Sequence, residues 1–150
     1  MPDFMAEAFK EAEKAFLENE VPIGSVVVLD GRIIGRGRNQ VEALKDPTAH
    51  AELLAITAAA NESNDQRLSE AVLYTTLEPC PMCMGAILLS RIKEVVFAAR
   101  DPRFGAAGSY VSLHNKSPFG PPPGITSGIM EKESGELLKR FFGRLRQKEH

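Results

Sequence analysis

The amino-acid sequence predicts an α/β fold with three layers, in which a mixed sheet of about five strands lies between helices on both sides. Helical and strand-like segments alternate along the 150 residues in the order helix, hairpin, helix, strand, helix, strand, loop, helix. A hairpin makes its two strands antiparallel, whereas a strand, helix, strand connection makes neighbouring strands parallel. The sheet is therefore expected to contain both kinds of pairing.

The first half of the chain supplies a helix, a hairpin and a second helix. Apolar residues recur at helical spacing across 4–17. The apolar segment 26–34 is interrupted by Asp30 and Gly31, a pair that favours the tight turn of a β-hairpin. The stretch 50–60 is rich in Ala and Leu and contains neither Gly nor Pro, so we predict the second helix there.

The second half supplies two buried strands, two helices and a long loop. Segments 71–76 and 95–98 are apolar and rich in β-branched residues, which predicts strands. Between them, the apolar segment 82–90 predicts a buried helix. Residues 101–124 are rich in Gly, Ser and Pro and are expected to form a loop with at most one short strand. Helical spacing resumes at 136–146, so we expect a terminal helix there.

Length and composition favour one globular domain over 1–150, since 43% of the residues are hydrophobic. The formal net charge of −2 excludes a general attraction to nucleic-acid phosphates, so any contact with them must be local. The opening residues lack the pattern of a secretory signal, and no apolar stretch reaches the roughly 20 residues of a membrane helix. We therefore expect a cytoplasmic protein without a membrane segment.

Three side chains have the residue types and spacing of a zinc site. His50 opens the second helix, while Cys80 and Cys83 lie on either side of the start of the third. One imidazole and two thiols are ligands that zinc accepts, and three protein ligands leave one coordination position open for catalysis. The remaining histidines, His114 and His150, are in a loop and at the terminus, and neither is a convincing fourth ligand.

Glu52 follows His50 by two residues, and a carboxylate beside a metal can relay protons for a water molecule. Two residues correspond to about 200° around a helix, so both side chains reach one metal only if they converge at the helix end. A Cys-x-x-Cys pair alone would equally suit a redox pair or two buried side chains. The combination of His-x-Glu with Pro-Cys-x-x-Cys is the pattern of zinc nucleobase deaminases.

At these residues the sequence resembles the cytidine deaminase superfamily and, within it, the bacterial tRNA-specific adenosine deaminases. The resemblance covers roughly residues 4 to 113. The segments that carry it are 20–24, Asn39, 46–52, 76–80, 90–92 and 107–109. The resemblance implies the cytidine deaminase-like fold for the whole domain.

The resemblance also implies a reaction. His50, Cys80 and Cys83 would hold one Zn²⁺ per chain, and Glu52 would shuttle protons while a zinc-bound hydroxide attacks C6 of adenine. Ammonia would leave, and inosine would remain. The expected substrate is the wobble adenosine in the anticodon loop of a tRNA.

Five further residues match substrate positions of the resembling family. Asn39 would contact the base, Ala51 would offer its backbone N–H to it, Val21 and Leu77 would line the pocket, and Asp101 would lie near the ribose. From the residues alone, asparagine and aspartate equally suit turns, and valine and leucine equally suit a core. The family also implies a homodimer in which both subunits contact the substrate.

The chain departs from the family in 114–126, where a proline-rich loop at 117–123 replaces an Asn-His pair. This departure favours the alternative of a deaminase for a free base or nucleoside, such as guanine or cytosine. A zinc-stabilised binding module without catalysis is a third class, and the intact Glu52 argues against it. The basic residues available for local phosphate contacts are Arg91, Lys93, Arg100, Arg103, Lys116, Lys139, Arg140, Arg144 and Arg146.

Overall fold

The computed structural model describes residues 3–148, and its five strands form one mixed sheet. In chain order the elements are α1 (Phe4–Leu17), β1 (Gly24–Leu29), β2 (Arg32–Arg38), α2 (Val41–Leu44), α3 (Ala51–Ser63), β3 (Val72–Leu77), α4 (Pro81–Ser90), β4 (Glu94–Ala99), β5 (Gly124–Ser127) and α5 (Glu131–Lys148). The strand order is β2-β1-β3-β4-β5. The pairs β1–β2 and β1–β3 are antiparallel, whereas β3–β4 and β4–β5 are parallel. The predicted mixed sheet of about five strands is confirmed.

The predicted hairpin is formed by β1 and β2. Leu29 pairs with Arg32, so that Asp30 and Gly31 alone make the turn. Both turn residues have positive φ, 52° and 74°, which is the conformation of a type I′ turn and the reason for this residue pair.

Alternate strand residues point to opposite faces of the sheet, and helices cover both faces. On one face, Val27 and Leu73 pack in a cluster with Ala55 of α3 and Met84 of α4. The other face buries a cluster of strand valines together with α1, including Met5 and Ala8, and α5 packs beside α1 on that face. The three predicted layers are therefore confirmed, with α3 and α4 on one side and α1 and α5 on the other.

Glycines allow the helices to approach the sheet closely. A Cβ atom on Gly37 of β2 would lie 2.3 Å from the carbonyl oxygen of Ala51, at the first residue of α3. A Cβ atom on Gly24 of β1 would lie 2.1 Å from the carbonyl oxygen of Ala8 in α1. Because no side chain fits in either gap, these glycines fix how near α1 and the start of α3 come to the strands.

The structure differs from the sequence prediction in connections and in the bounds of several elements. Strand β5 (Gly124–Ser127) begins where the predicted loop 101–124 ends, and α3 continues to Ser63, beyond the predicted 50–60. The short helix α2 was not predicted, and its first N–H groups, from Glu42 and Ala43, donate to the buried carboxylate of Glu20 at 3.0 and 2.8 Å. Helix α5 is longer than the predicted 136–146 at both ends. Within residues 3–148, no helix combines the length and the apolar character that crossing a membrane requires.

Candidate metal centre and substrate cavity

The starts of α3 and α4 bring the predicted metal ligands together. His50 and Cys80 are the residues that immediately precede these helices, and both have extended backbone conformations, with ψ of 149° and 172°. Pro81 occupies the first position of α4, where its missing N–H costs nothing. Because His50 lies outside the helix, its direction does not follow the helical wheel, and the two-residue offset from Glu52 is no obstacle to convergence.

The three ligand atoms form a compact cluster. Nδ1 of His50 lies 3.7 Å from Sγ of Cys80 and 3.6 Å from Sγ of Cys83, and all three atoms lie within 4.8 Å of one another. Tetrahedral zinc, with bonds of about 2.0–2.1 Å to nitrogen and about 2.3 Å to sulfur, separates such atoms by about 3.6 Å. Among residues 3–148 no fourth side chain joins this cluster, so the donor set fits a zinc ion with an open position.

Hydrogen bonds within the cluster shift the acidity of its members. The Cys83 thiol lowers the pKa of Cys80 to about 4, because it donates a hydrogen bond to the Cys80 sulfur. The same bond, together with burial, raises the pKa of Cys83. The hydrogen bond to Cys80 also raises the pKa of His50. Cysteine binds zinc as the thiolate, and the cluster favours that form at Cys80.

Glu52 lies in the first turn of α3 with its carboxyl group buried. The residue is 4% exposed, and Oε1 has no hydrogen-bond partner. Burial raises the pKa of Glu52 to about 7. A buried carboxyl oxygen without a partner costs about 1–3 kcal/mol, and such groups in native proteins call for a functional explanation.

A cavity of about 930 Å³ opens beside the cluster. Its walls include His50, Val21, Asn39, Leu77 and Asp101, so the structure brings one metal-ligand residue and four of the five predicted substrate residues around one space. The remaining predicted site residues, Ala51, Glu52, Cys80 and Cys83, are buried and are not among the residues that form its walls. Contacts of these residues with a substrate stay predictions.

Asn39 links the cavity to the start of α3. Its Oδ1 accepts a hydrogen bond of 2.8 Å from the backbone N–H of Ala51. In this structure the Ala51 N–H therefore donates to Asn39, and its contact with a base remains a prediction. The side-chain NH₂ of Asn39 is the group left for an acceptor in the cavity.

Other parts of the cavity were not foreseen from the sequence. Helix α5 supplies one wall through its apolar residues. Arg100 and Arg103, two of the basic residues that were predicted for local phosphate contacts, also line the cavity. The apolar spacing of α5 was recognised, but that spacing does not tell which neighbour the helix covers. The cavity-facing residues of α5 are Leu138, Phe141, Phe142 and Leu145.

Comparison with known proteins identifies the family. Residues 2–99 match the family described as "Cytidine and deoxycytidylate deaminase zinc-binding region". The tRNA-specific adenosine deaminase of Bacillus subtilis (strain 168) is 46% identical over 145 residues, which covers 97% of this chain and 90% of the relative. Together with the cluster of His50, Cys80 and Cys83, this match confirms the predicted zinc cofactor.

Solved structures give the same result. One described as "Biochemical and Structural Studies of A-to-I Editing by tRNA:A34 Deaminases at the Wobble Position of Transfer RNA" superposes with a TM-score of 0.85 and 44% identity, covering 89% of this chain and 97% of its own. The guanine deaminase of Bacillus subtilis superposes with a TM-score of 0.64 and 33% identity, covering 91% of each chain. The chain belongs to the cytidine and deoxycytidylate deaminase family and, within it, to the group of the tRNA-specific adenosine deaminases.

Proposed function

We propose that this protein is a zinc-dependent hydrolase that deaminates the wobble adenosine of a tRNA to inosine. The observation that carries the proposal is the three-ligand cluster with a buried, unpartnered Glu52 oxygen next to it, beside a cavity that His50 lines and that is large enough for a nucleoside. His50, Cys80 and Cys83 hold the metal in this proposal. The open coordination position distinguishes the site from a structural zinc site.

The reaction adds water to the base and releases ammonia. When bound, the zinc ion supplies a Lewis acid that lowers the pKa of a water molecule. With the metal bound, Glu52 would accept a proton from the attacking water at its buried carboxylate and would return it to the departing amino group. Asn39 orients the base through its side-chain NH₂, Val21 and Leu77 contact the faces of the base, and Asp101 accepts a hydrogen bond from the ribose.

Local positive charge supports an RNA substrate. A groove of about 410 Å³ next to the cavity is lined by Arg103, Lys139 and Arg146 and, among residues 3–148, by no acidic residue, whereas the cavity itself has acidic residues beside its arginines. These cations can contact phosphates although the whole chain carries a net charge of −2. Some predicted cations are occupied elsewhere, since the Arg140 and Arg144 guanidinium groups lie 5.1 and 4.2 Å from the Phe16 ring centroid.

A single-stranded anticodon loop suits this cavity, because an unpaired base can swing out of its stack at low cost. The alternative substrate is a free base, and the 33% identity with a guanine deaminase favours it. The identity of 44–46% with proteins described as acting on tRNA is higher and decides our choice. An enzyme that acts on tRNA is expected in the cytoplasm.

The test compares RNA and free bases. Purified protein is incubated with an anticodon stem-loop that carries adenosine at the wobble position, with the same stem-loop carrying guanosine there, and with free adenine, guanine and cytosine. We expect inosine and ammonia from the first RNA alone, and loss of both products after zinc chelation. Product from the free bases only would overturn the assignment of an RNA substrate.

We propose a homodimer as the active form. Large apolar side chains remain exposed on the protomer, among them Leu89 at 66% and Tyr110. Their burial against a second copy would remove apolar surface from water. Light scattering is expected to give the mass of two chains, and a monomer at all concentrations would contradict this assembly.

A further inference from the structure

Glu78 is a buried carboxylate with no role in the reaction described above. It lies between Leu77, which lines the cavity, and Cys80, and it is 2% exposed. We infer that Glu78 is a positioning residue that holds the substrate-facing loop 101–109 in register with the metal centre. The inference rests on the proposed function, because it assigns that loop to substrate binding.

Every hydrogen bond of the Glu78 carboxylate goes to that loop. Oε1 accepts from the backbone N–H of Asp101 at 3.0 Å and from the hydroxyl of Ser109. Oε2 accepts from the backbone N–H groups of Ala107 at 2.9 Å and of Ser109 at 3.1 Å. Four donors from one loop thus converge on one carboxylate, which accepts such bonds well because each is assisted by its charge.

Backbone hydrogen bonds on either side of the Glu78 side chain also tie this segment to β4 and to loop 101–109. The N–H of Glu78 donates to the carbonyl of Ala99 at the end of β4, at 2.8 Å, and the carbonyl of Pro79 accepts from the N–H of Ala106 at 2.7 Å. The loop also fits tightly around the carboxylate, since a Cβ atom on Gly105 would lie 2.3 Å from Cδ of Glu78. The loop therefore has little freedom to shift relative to the segment that carries Cys80.

This connection matters because of what each end carries. The loop presents Asp101 and Arg103 to the cavity, while the segment after Glu78 supplies two of the three metal-ligand residues. Glu78 consequently sets the distance between the group expected at the ribose and the reacting centre. Small displacements of such groups lower catalytic efficiency strongly, because productive binding depends on orientation.

Glutamine at position 78 would keep the shape of the side chain but could not accept all four hydrogen bonds. An amide has one acceptor oxygen, and its NH₂ group can only donate. With the oxygen toward Ala107 and Ser109, the NH₂ would face the N–H of Asp101, so donor would meet donor. The Ser109 hydroxyl could turn to accept from the amide, whereas the Asp101 N–H could not. Glu78→Gln therefore weakens the bond that fixes Asp101.

The test compares Glu78→Gln with Glu11→Gln in the zinc-loaded protein acting on the anticodon stem-loop. Glu11 is equally buried, at 3% exposure, and pairs with Arg36 and Lys14 away from the cavity walls. We expect Glu78→Gln to raise KM by about tenfold with kcat within about threefold of the parent and one zinc per chain. Glu11→Gln, which loses the same charge, is expected to leave KM unchanged.

Amide hydrogen exchange gives a second measurement that needs no substrate. We expect faster exchange across 101–109 in Glu78→Gln than in the parent or in Glu11→Gln. Ser109→Ala removes the hydroxyl bond alone and serves where Glu78→Gln folds poorly; it is expected to raise KM by about two- to threefold.

Unchanged KM in Glu78→Gln, or loss of zinc together with activity, would overturn the positioning role. If the parent protein leaves the stem-loop unmodified, the proposed function fails. Exchange across 101–109 then still decides whether Glu78 holds the loop.

Discussion

The two sides of the cavity are built in different ways. On the metal side, His50, Cys80 and Cys83 converge because two helices begin at one place, and each ligand belongs to a short local pattern. On the substrate side, loop 101–109 is held by backbone N–H groups that donate to the single carboxylate of Glu78. Each metal-ligand residue is therefore oriented by the local geometry of a helix start, whereas loop 101–109 depends on long-range contacts with Glu78 and Pro79.

The largest effect is expected on the metal side. Glu52→Gln keeps the volume of the side chain but removes the group that accepts a proton, so we expect kcat to fall by about 10²–10⁴-fold. The uncharged amide is easier to bury than a carboxylate, so the melting temperature is not expected to fall. Inosine formation under single turnover, zinc content and thermal unfolding check these three expectations.

A parent-like kcat in the Glu52→Gln protein would reject its proton relay. The same variant also separates the enzyme from a zinc-stabilised binding module, because a module without catalysis has no rate to lose.

Asn39 lines the cavity and also contacts the start of α3. Its Oδ1 accepts from Ala51, whereas its NH₂ group is left for the substrate. Asn39→Asp retains an oxygen for the Ala51 N–H, and the negative charge at the start of α3 is favourable, so we expect stability within about 1 kcal/mol of the parent. The variant loses the NH₂ group that is left for an acceptor on the base, so kcat/KM is expected to fall by about tenfold to a hundredfold. Steady-state kinetics and denaturant unfolding measure the two effects.

Asn39→Ala is the matched comparison, because it loses the cap as well and should reduce both quantities. If Asn39→Asp instead deaminates RNA as well as the parent does, Asn39 acts only as a cap for α3.

The metal side was predictable because its ligands and Glu52 occur in two short sequence motifs. Cys80 and Cys83 are three residues apart and His50 and Glu52 are two apart, and folding keeps each pair together because each pair lies at one helix start. The spacing did not predict the direction in which the His50 side chain points. The convergence of His50 with Glu52 depends on the extended backbone of His50, which a helical wheel ignores.

The loop side was not predictable for a physical reason. The donors that bind the Glu78 carboxylate are 23 to 31 residues away, and three of the four are backbone N–H groups, which carry no sequence signal. The short helix α2 was missed likewise, because its start is stabilised by Glu20 more than twenty residues earlier. Gly105 is the one local hint, since a glycine is needed where the loop closes over the carboxylate.

The smallest effects are expected from Gly→Ala substitutions, which add a single methyl group. Such substitutions on the metal side and on the loop side should affect different properties. Gly37→Ala presses on the backbone at the start of α3, so we expect a loss of about 1–3 kcal/mol in unfolding free energy and weaker zinc binding. Gly105→Ala presses on Glu78 and is expected to raise KM while zinc stays bound. A Cβ atom on Gly135 in α5 would have no neighbour within 4 Å in the described part of the chain. Gly135→Ala is therefore expected to raise the unfolding free energy by about 0.5–1 kcal/mol and to leave both KM and zinc binding unchanged. Equal zinc loss in the first two variants would mean that the cavity has one structural unit instead of two.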